Sequence, residues 1–254
     1  MNQPLLRVEN LTVSFEGFKA LDRMCLTLMP KTVRVLIGPN GAGKSTLLDA
    51  ITGRVQPTAG EVVFKGENIT RLDEHKIARR GICRKFQAPG ILDNLTVYEN
   101  LALAACPRRE WWFNLNRSVT PAVRIQVEKV LNLIGLEEKK DSLAKHLAHG
   151  QKQWLEMGMV VASDAELLLL DEPAAGMTHQ EAAQTADLIR SLSDRHSFLV
   201  IDHDMTFVDQ LKAPVSVLHM GRLLKEGSLE EVRSDPQVAA VYLGRVEEVS
   251  SGYA

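Results

Sequence analysis

The sequence predicts an α/β fold with a mixed sheet, an antiparallel β part at the N-terminus and an inserted helical lobe. Three observations carry this. A glycine-rich loop, Gly38-Pro39-Asn40-Gly41-Ala42-Gly43-Lys44-Ser45-Thr46, lies between the apolar run Val33–Ile37 and the helix-like Leu47–Ile51. Two more apolar runs, Leu167–Leu170 and Ser197–Ile201, end in acidic residues and are separated by the amphipathic stretch His179–Arg195. Between these β/α parts, residues 88–162 read mostly helical.

A length of 254 residues suits one α/β domain with a smaller lobe. The expected division is a core of residues 1–87 and 163–254 around a helical subdomain of residues 88–162. Hydrophobic residues at 45% and charged residues at 24% are an ordinary globular balance. A net charge of -2 argues against a nucleic-acid partner. No apolar stretch approaches the ~20 residues of a membrane span. Met1-Asn2-Gln3-Pro4 does not read as a signal peptide, so a cytoplasmic location is expected. Cys25, Cys83 and Cys106 share no metal-like spacing and read as small hydrophobes in a reducing compartment.

Leu5 to Phe15 alternates apolar and polar residues, as a strand does, and Met24–Leu28 reads as its neighbour. Pro30-Lys31-Thr32 turns into the strand feeding the glycine loop. The helix after the loop ends at Gly53. Glu61–Phe64 is a strand, Gly66-Glu67-Asn68 a tight turn and Leu72–Arg80 a short polar helix. Ile82–Phe86 is strand-like, with Gln87 at its end. Thr96 and Glu99 have capping-box spacing ahead of an apolar helix over Val97–Ala105. Cys106–Thr120 is irregular. Its Trp111-Trp112-Phe113 suits a partner contact or local packing equally, and Arg108, Arg109 and Arg117 suit a solvated loop. Pro121 opens a helix that Gly135 ends. Val215–Met220 and Leu223–Lys225 form a hairpin, Ser228 caps a last helix, and Pro236–Ala254 is weakly patterned.

The glycine loop is a complete G-x-x-x-x-G-K-[ST] motif in strand–loop–helix context. Its glycines let backbone N–H groups converge on phosphate oxygens, and the helix N-terminus adds partial positive charge. Lys44 brings a cation to the β- and γ-phosphates, and the Ser45 hydroxyl suits Mg²⁺. Asp171, at the end of the Leu167–Leu170 strand, is a second Mg²⁺ ligand, direct or through water. Glu172 is the candidate base or orienter for an attacking water, and that reading is favoured over a helix-start carboxylate before Pro173. Parallel strands would bring the glycine loop, Gln87, Asp171, Glu172 and His203 to one sheet edge. His203 suits a γ-phosphate contact or a polar turn; Asp202 and Asp204 beside it make a poor metal site. Phe15 could stack on a base, although a core aromatic is the simpler reading.

The order of Phe15, Gly38–Thr46, Gln87, Leu147–Gln151, Leu170-Asp171-Glu172 and His203 resembles the ATP-binding cassette (ABC) ATPases over nearly the whole chain. Leu147-Ala148-His149-Gly150-Gln151 is similar to that family's Leu-Ser-Gly-Gly-Gln signature. The resemblance implies ATP with Mg²⁺, with Phe15 on adenine, Gln87 sensing Mg²⁺ and contacting a membrane permease, and His203 as the switch histidine. It implies a head-to-tail dimer with a second ABC ATPase chain, homo- or heteromeric. In that dimer Ala148, His149, Gly150 and Gln151 of one chain close on the nucleotide of the other. Permease subunits are the direct partners, a solute-binding protein an indirect one, and the site of action is the cytoplasmic face of the inner membrane.

Two departures stand out. Ala148 removes the usual serine hydroxyl and His149 replaces a glycine, predicting a working but weaker signature. Ala174-Ala175-Gly176-Met177 lacks the family's usual aspartate. Both features resemble the importers of branched-chain amino acids and urea, and Gly150–Glu156 with Arg84–Gln87 leans toward the urea members. The rival readings are a soluble ABC ATPase acting on nucleic acid or ribosomes and a small-molecule kinase. The first usually has two cassettes or a coiled-coil insertion, and the second has no use for Leu147–Gln151.

Overall fold

The computed structural model describes residues 3–84, 90–106 and 120–242. Gln87 and the loop with Trp111, Trp112, Phe113, Arg108, Arg109 and Arg117 lie outside the described residues.

Among the described residues, ten strands make two sheets. The first is antiparallel and holds β1 (Leu6–Phe15), β2 (Phe18–Leu28), β4 (Ala59–Phe64) and the short β5 (Glu67–Asn68), in the order β2-β1-β4-β5. The second holds β3 (Val33–Ile37), β6 (Ile82–Arg84), β7 (Leu167–Asp171), β8 (Ser197–Ile201), β9 (Val215–His219) and β10 (Arg222–Gly227), in the order β10-β9-β3-β8-β7-β6. All its pairings are parallel except the β9–β10 hairpin, so the sheet is mixed.

The apolar strands follow from burial on both faces. Side chains alternate along a strand. Val33, Val35, Ile37, Leu168, Leu170, Phe198 and Val200 therefore join one apolar cluster, and Leu36, Leu167, Leu169, Leu199 and Ile201 the other. The first cluster also takes the inner faces of α3 (Val97–Ala105), α4 (Pro121–Ile134), α5 (His149–Ala162) and α6 (His179–Leu192). The second takes the antiparallel sheet, α1 (Lys44–Ile51) and Ile77 of α2 (Glu74–Arg79). The helical part thus shares a continuous apolar core with one face of the sheet.

Most elements match the sequence reading. The capping boxes at Thr96 and Ser228 form, and Gly135 ends α4 in a left-handed conformation. Six details differ. β2 begins at Phe18, because Phe15 and Phe18 pair across the Glu16-Gly17 turn. Glu67 and Asn68 pair with β4, so the turn falls at Lys65-Gly66, where both φ angles are positive. α6 stops at Leu192, three residues early. A helix α7 (Met205–Leu211) was not apparent in the sequence; the Asp204 side chain caps it, accepting from Thr206 and Phe207 N–H. Residues 236–242 are helical beyond α8 (Leu229–Arg233). Cys25 is exposed, not packed.

Asn100 fixes the segment that enters the helical part. It is fully buried. Its Oδ1 accepts from Leu92 N–H at 2.8 Å, and its Nδ2 donates to Leu92 O at 3.2 Å and Thr96 O at 2.9 Å. Truncation would take the acceptor from Leu92 N–H, at ~1–3 kcal/mol, while Leu92 O and Thr96 O keep the N–H donors of Leu95 and Asn100. Urea unfolding of Asn100→Ala should show that loss, whereas an exposed change such as Glu138→Ala should be near neutral.

Candidate functional site

The site lies at the C-terminal ends of the parallel strands. β3 ends at Ile37 and the glycine loop leads from it into α1. Glycine is required at Gly43, where φ is +103° and a Cβ would collide with the Ala20 carbonyl oxygen. The first-turn N–H groups of a helix have no intrahelical acceptor, so this end favours an anion. Lys44 Nζ donates to the carbonyls of Gly38 at 2.7 Å and Pro39 at 3.0 Å, arching back over its own loop.

The loop opens into a cleft of about 450 Å³ lined by Lys44, Ser45, Thr46, Asp171 and Glu172, with Phe15 at its mouth. Phe15 is 48% exposed, so the core-aromatic reading fails. Phe18 lies beside it and is more exposed. The sequence reading missed Phe18 because it started that strand at Met24. Ser45 and Asp171 present a hydroxyl and a carboxylate to one space. Such hard oxygen donors fit Mg²⁺, which takes one or two carboxylates alongside phosphates and water.

Glu172 follows β7 directly. Its φ of +46° is left-handed, and its N–H donates to Ile201 O at 2.8 Å. The strained turn lifts its carboxylate out of the strand direction, so that it is half exposed. His203 Nδ1 lies 3.2 Å from Glu172 Oε1, so the two sequence-predicted residues meet. Asp202 turns inward. Its Oδ1 accepts from the N–H groups of His203 and Asp204, while Oδ2 is buried with no partner among the described residues. Burial pushes the Asp202 carboxyl above the usual aspartate range, against those two N–H groups. With Asp202 buried and Asp204 capping α7, the Asp-His-Asp side chains diverge.

Arg84, which the sequence reading named only within the run Arg84–Gln87 and gave no role at the site, ends β6 and is buried. Its guanidinium binds Asp49 on α1 through Nη1 and Asp171 through Nη2, the latter at 3.0 Å.

A second cleft of about 720 Å³ adjoins the first through Ser45, Asp171 and Glu172, and His149, Lys152 and Gln153 of α5 form its other wall. Ala148, at the N-cap of α5, has no side-chain acceptor. Gln151 supplies half a capping box, its Oε1 accepting from Ala148 N–H at 3.1 Å and from Lys139 Nζ at 2.9 Å. Gly150 is buried, and a Cβ there would run into the Glu181 carboxylate. Gln153 Nε2 donates to Ala175 O at 2.7 Å and lies 3.0 Å from His149 Nε2.

The ABC transporter family model matches residues 21–175. The chain belongs to the ABC transporter family. It is an ABC ATPase. It is 34% identical to the high-affinity branched-chain amino acid transport ATP-binding protein LivG of Escherichia coli, over 96% of this chain and 99% of that one. It is 35% identical to BraF of Pseudomonas aeruginosa, a protein of the same description, with the same coverage. It is similar to the crystal structure of a nucleotide-free ATP-binding cassette from an ABC transporter, with a TM-score of 0.82, 29% identity, and 94% and 99% of the two chains covered. The ADP conformation of the cassette MJ1267 gives a TM-score of 0.81 at 30% identity, covering 95% and 99%.

In this ABC ATPase, Phe15, most of the phosphate loop, Asp171 and Glu172 gather at one cleft, with His203 against Glu172. Of the signature residues, His149 lines the adjoining cleft, whereas Ala148, Gly150 and Gln151 line neither. The two departures from the family pattern are in contact, since His149 packs beside Gly176, where a Cβ would lie 3.2 Å from its Nε2.

A raised Asp202 pKa means that the folded chain binds its proton more tightly than the unfolded chain. Stability is therefore lost as pH rises above the ordinary aspartate value of 3.8 through the raised folded value. Asp202→Asn removes that loss. Its melting temperature should exceed the parent's at pH 7, and the gap should narrow toward pH 4, as thermal melts across pH would show.

Proposed function

We propose that this chain is the ATP-hydrolysing subunit of an importer for branched-chain amino acids. One observation carries the enzymatic part: a phosphate loop, a magnesium-type donor pair and a strained carboxylate open into one cleft. The solute is supported by the relatives, which are named for branched-chain amino acid transport. Among the described residues no helix is long and apolar enough to cross a membrane. The chain acts on the cytoplasmic face of the inner membrane through permease subunits, with a solute-binding protein beyond them.

The phosphate loop and Lys44 hold the triphosphate, and Phe15 stacks on adenine with Phe18 beside it. Ser45, Asp171 and Gln87 would hold Mg²⁺, which would offset the phosphate charge. Glu172 orients the attacking water and accepts its proton, while His203 holds Glu172 and reaches the γ-phosphate. A second cassette chain completes the site: its Ala148, His149, Gly150 and Gln151 approach this chain's nucleotide from across the dimer, with residues 88–162 acting as the helical lobe that carries them.

Urea is the competing solute, favoured by the Gly150–Glu156 run. Uptake by cells lacking the gene separates the two. Loss of labelled leucine, isoleucine and valine uptake with urea uptake intact supports the proposal; the reverse reassigns the solute. Salt-dependent RNA or DNA binding would instead revive a role on nucleic acid.

Glu172→Gln keeps the size of the side chain and removes the base. ATP should bind within about twofold of the parent, while turnover falls by orders of magnitude, on the order of 10²–10⁴. Near-normal phosphate release would sink the assignment.

A further inference from the structure

We propose that Arg84 is a positioning residue for Asp171: its guanidinium locks the magnesium carboxylate to the helix that carries the phosphate loop. This rests on the reading of Asp171 as a Mg²⁺ ligand.

Three elements meet at this group. Asp171 ends β7, and Asp49 lies on α1, five residues after Lys44. Arg84 ends β6, where it is paired in register with Leu169, two residues before Asp171. The arginine side chain is 7% exposed, against 19% for Asp171 and 29% for Asp49. A guanidinium is a rigid planar fork, so holding one carboxylate on each arm fixes the distance and angle between them. With Oδ2 of Asp171 held at 3.0 Å, the carboxyl group cannot rotate about its last bond without breaking that contact.

The charge argument points the same way. Asp49 and Asp171 converge on one cation, beside a loop built for a polyphosphate. Without Arg84 the two carboxylates would lose the cation they share, and a partly buried charge that loses its partner is strongly disfavoured. Arg84 Nε is buried with no partner among the described residues. Arg84 also lies three residues before Gln87 in the sequence, another expected magnesium ligand.

A clamp that only supports the fold and a clamp that positions a metal ligand differ in one respect. The first affects nucleotide binding with and without metal alike, whereas the second affects the metal-dependent part. The test uses the full-length chain and a fluorescent ATP, bound first in EDTA and then across a Mg²⁺ titration. For Arg84→Gln, binding in EDTA should stay within about twofold. The Mg²⁺ concentration needed for half of the metal-induced change should rise about tenfold, the size of one charge-assisted hydrogen bond. An unchanged titration, or an equal loss with and without Mg²⁺, overturns the proposal. Asp171→Asn separates the two claims. If it keeps the parent's Mg²⁺ response, the reading of Asp171 fails; if it abolishes the response and Arg84→Gln does not, the role of Arg84 alone fails. Should Arg84→Gln not fold, Arg84→Lys decides, because a point charge cannot fork two carboxylates. A weakened Mg²⁺ response supports the proposal, and a parental one overturns it.

Discussion

Strands covered on both faces have little room for polar side chains except at their ends. That constraint organises this molecule. β3, β7 and β8 send alternate residues into two apolar clusters, so their chemistry begins where the strands stop. The glycine loop follows Ile37, the acidic pair closes β7, and Asp202 and His203 follow Ile201. Because the three strands are parallel and adjacent, these ends meet at one edge. The cleft is thus a product of the core's period-two packing as much as of the site residues themselves.

The same reasoning explains what could be read from the chain. The phosphate loop was legible because all of its parts are contiguous and each has a local physical role. Asp171 and Glu172 were legible because an apolar run with an acidic end means the same thing wherever it occurs. Arg84 was not, since its partners are 35 and 87 residues away and nothing beside it hints at either. Its position at the end of a strand was a usable signal, but the sequence drew attention past it to Gln87. Phe15 was misjudged on its residues alone, because an aromatic in an alternating strand ordinarily faces the core. Its exposure arises from the turn at Glu16-Gly17, which pairs it with Phe18 at the strand ends. Helix α7 escaped because Asp204 was weighed as a possible metal neighbour and not as a cap.

The departures from the family signature look independent along the chain, being separated by more than twenty residues. In space they form one contact. A histidine in place of glycine needs room, and Gly176 provides it with a positive φ and no side chain. Gln153 then ties the start of α5 to the Ala175 carbonyl. Gln151 turns back to cap the helix and supplies the half of the capping box that needs no serine hydroxyl. The His149 and Gly176 departures therefore read as a coordinated pair.

Lys44 donates to two carbonyls of its own loop. An incoming anion must out-compete these oxygens before it gains the cation. The loop is in this sense its own rival ligand, and it sets an entry threshold for whatever binds there. A weakly basic or singly charged anion offers little advantage over a pair of peptide carbonyls. A polyphosphate, with several charged oxygens close together, offers a large one. Discrimination thus precedes any contact with the adenine ring, at the level of charge density alone.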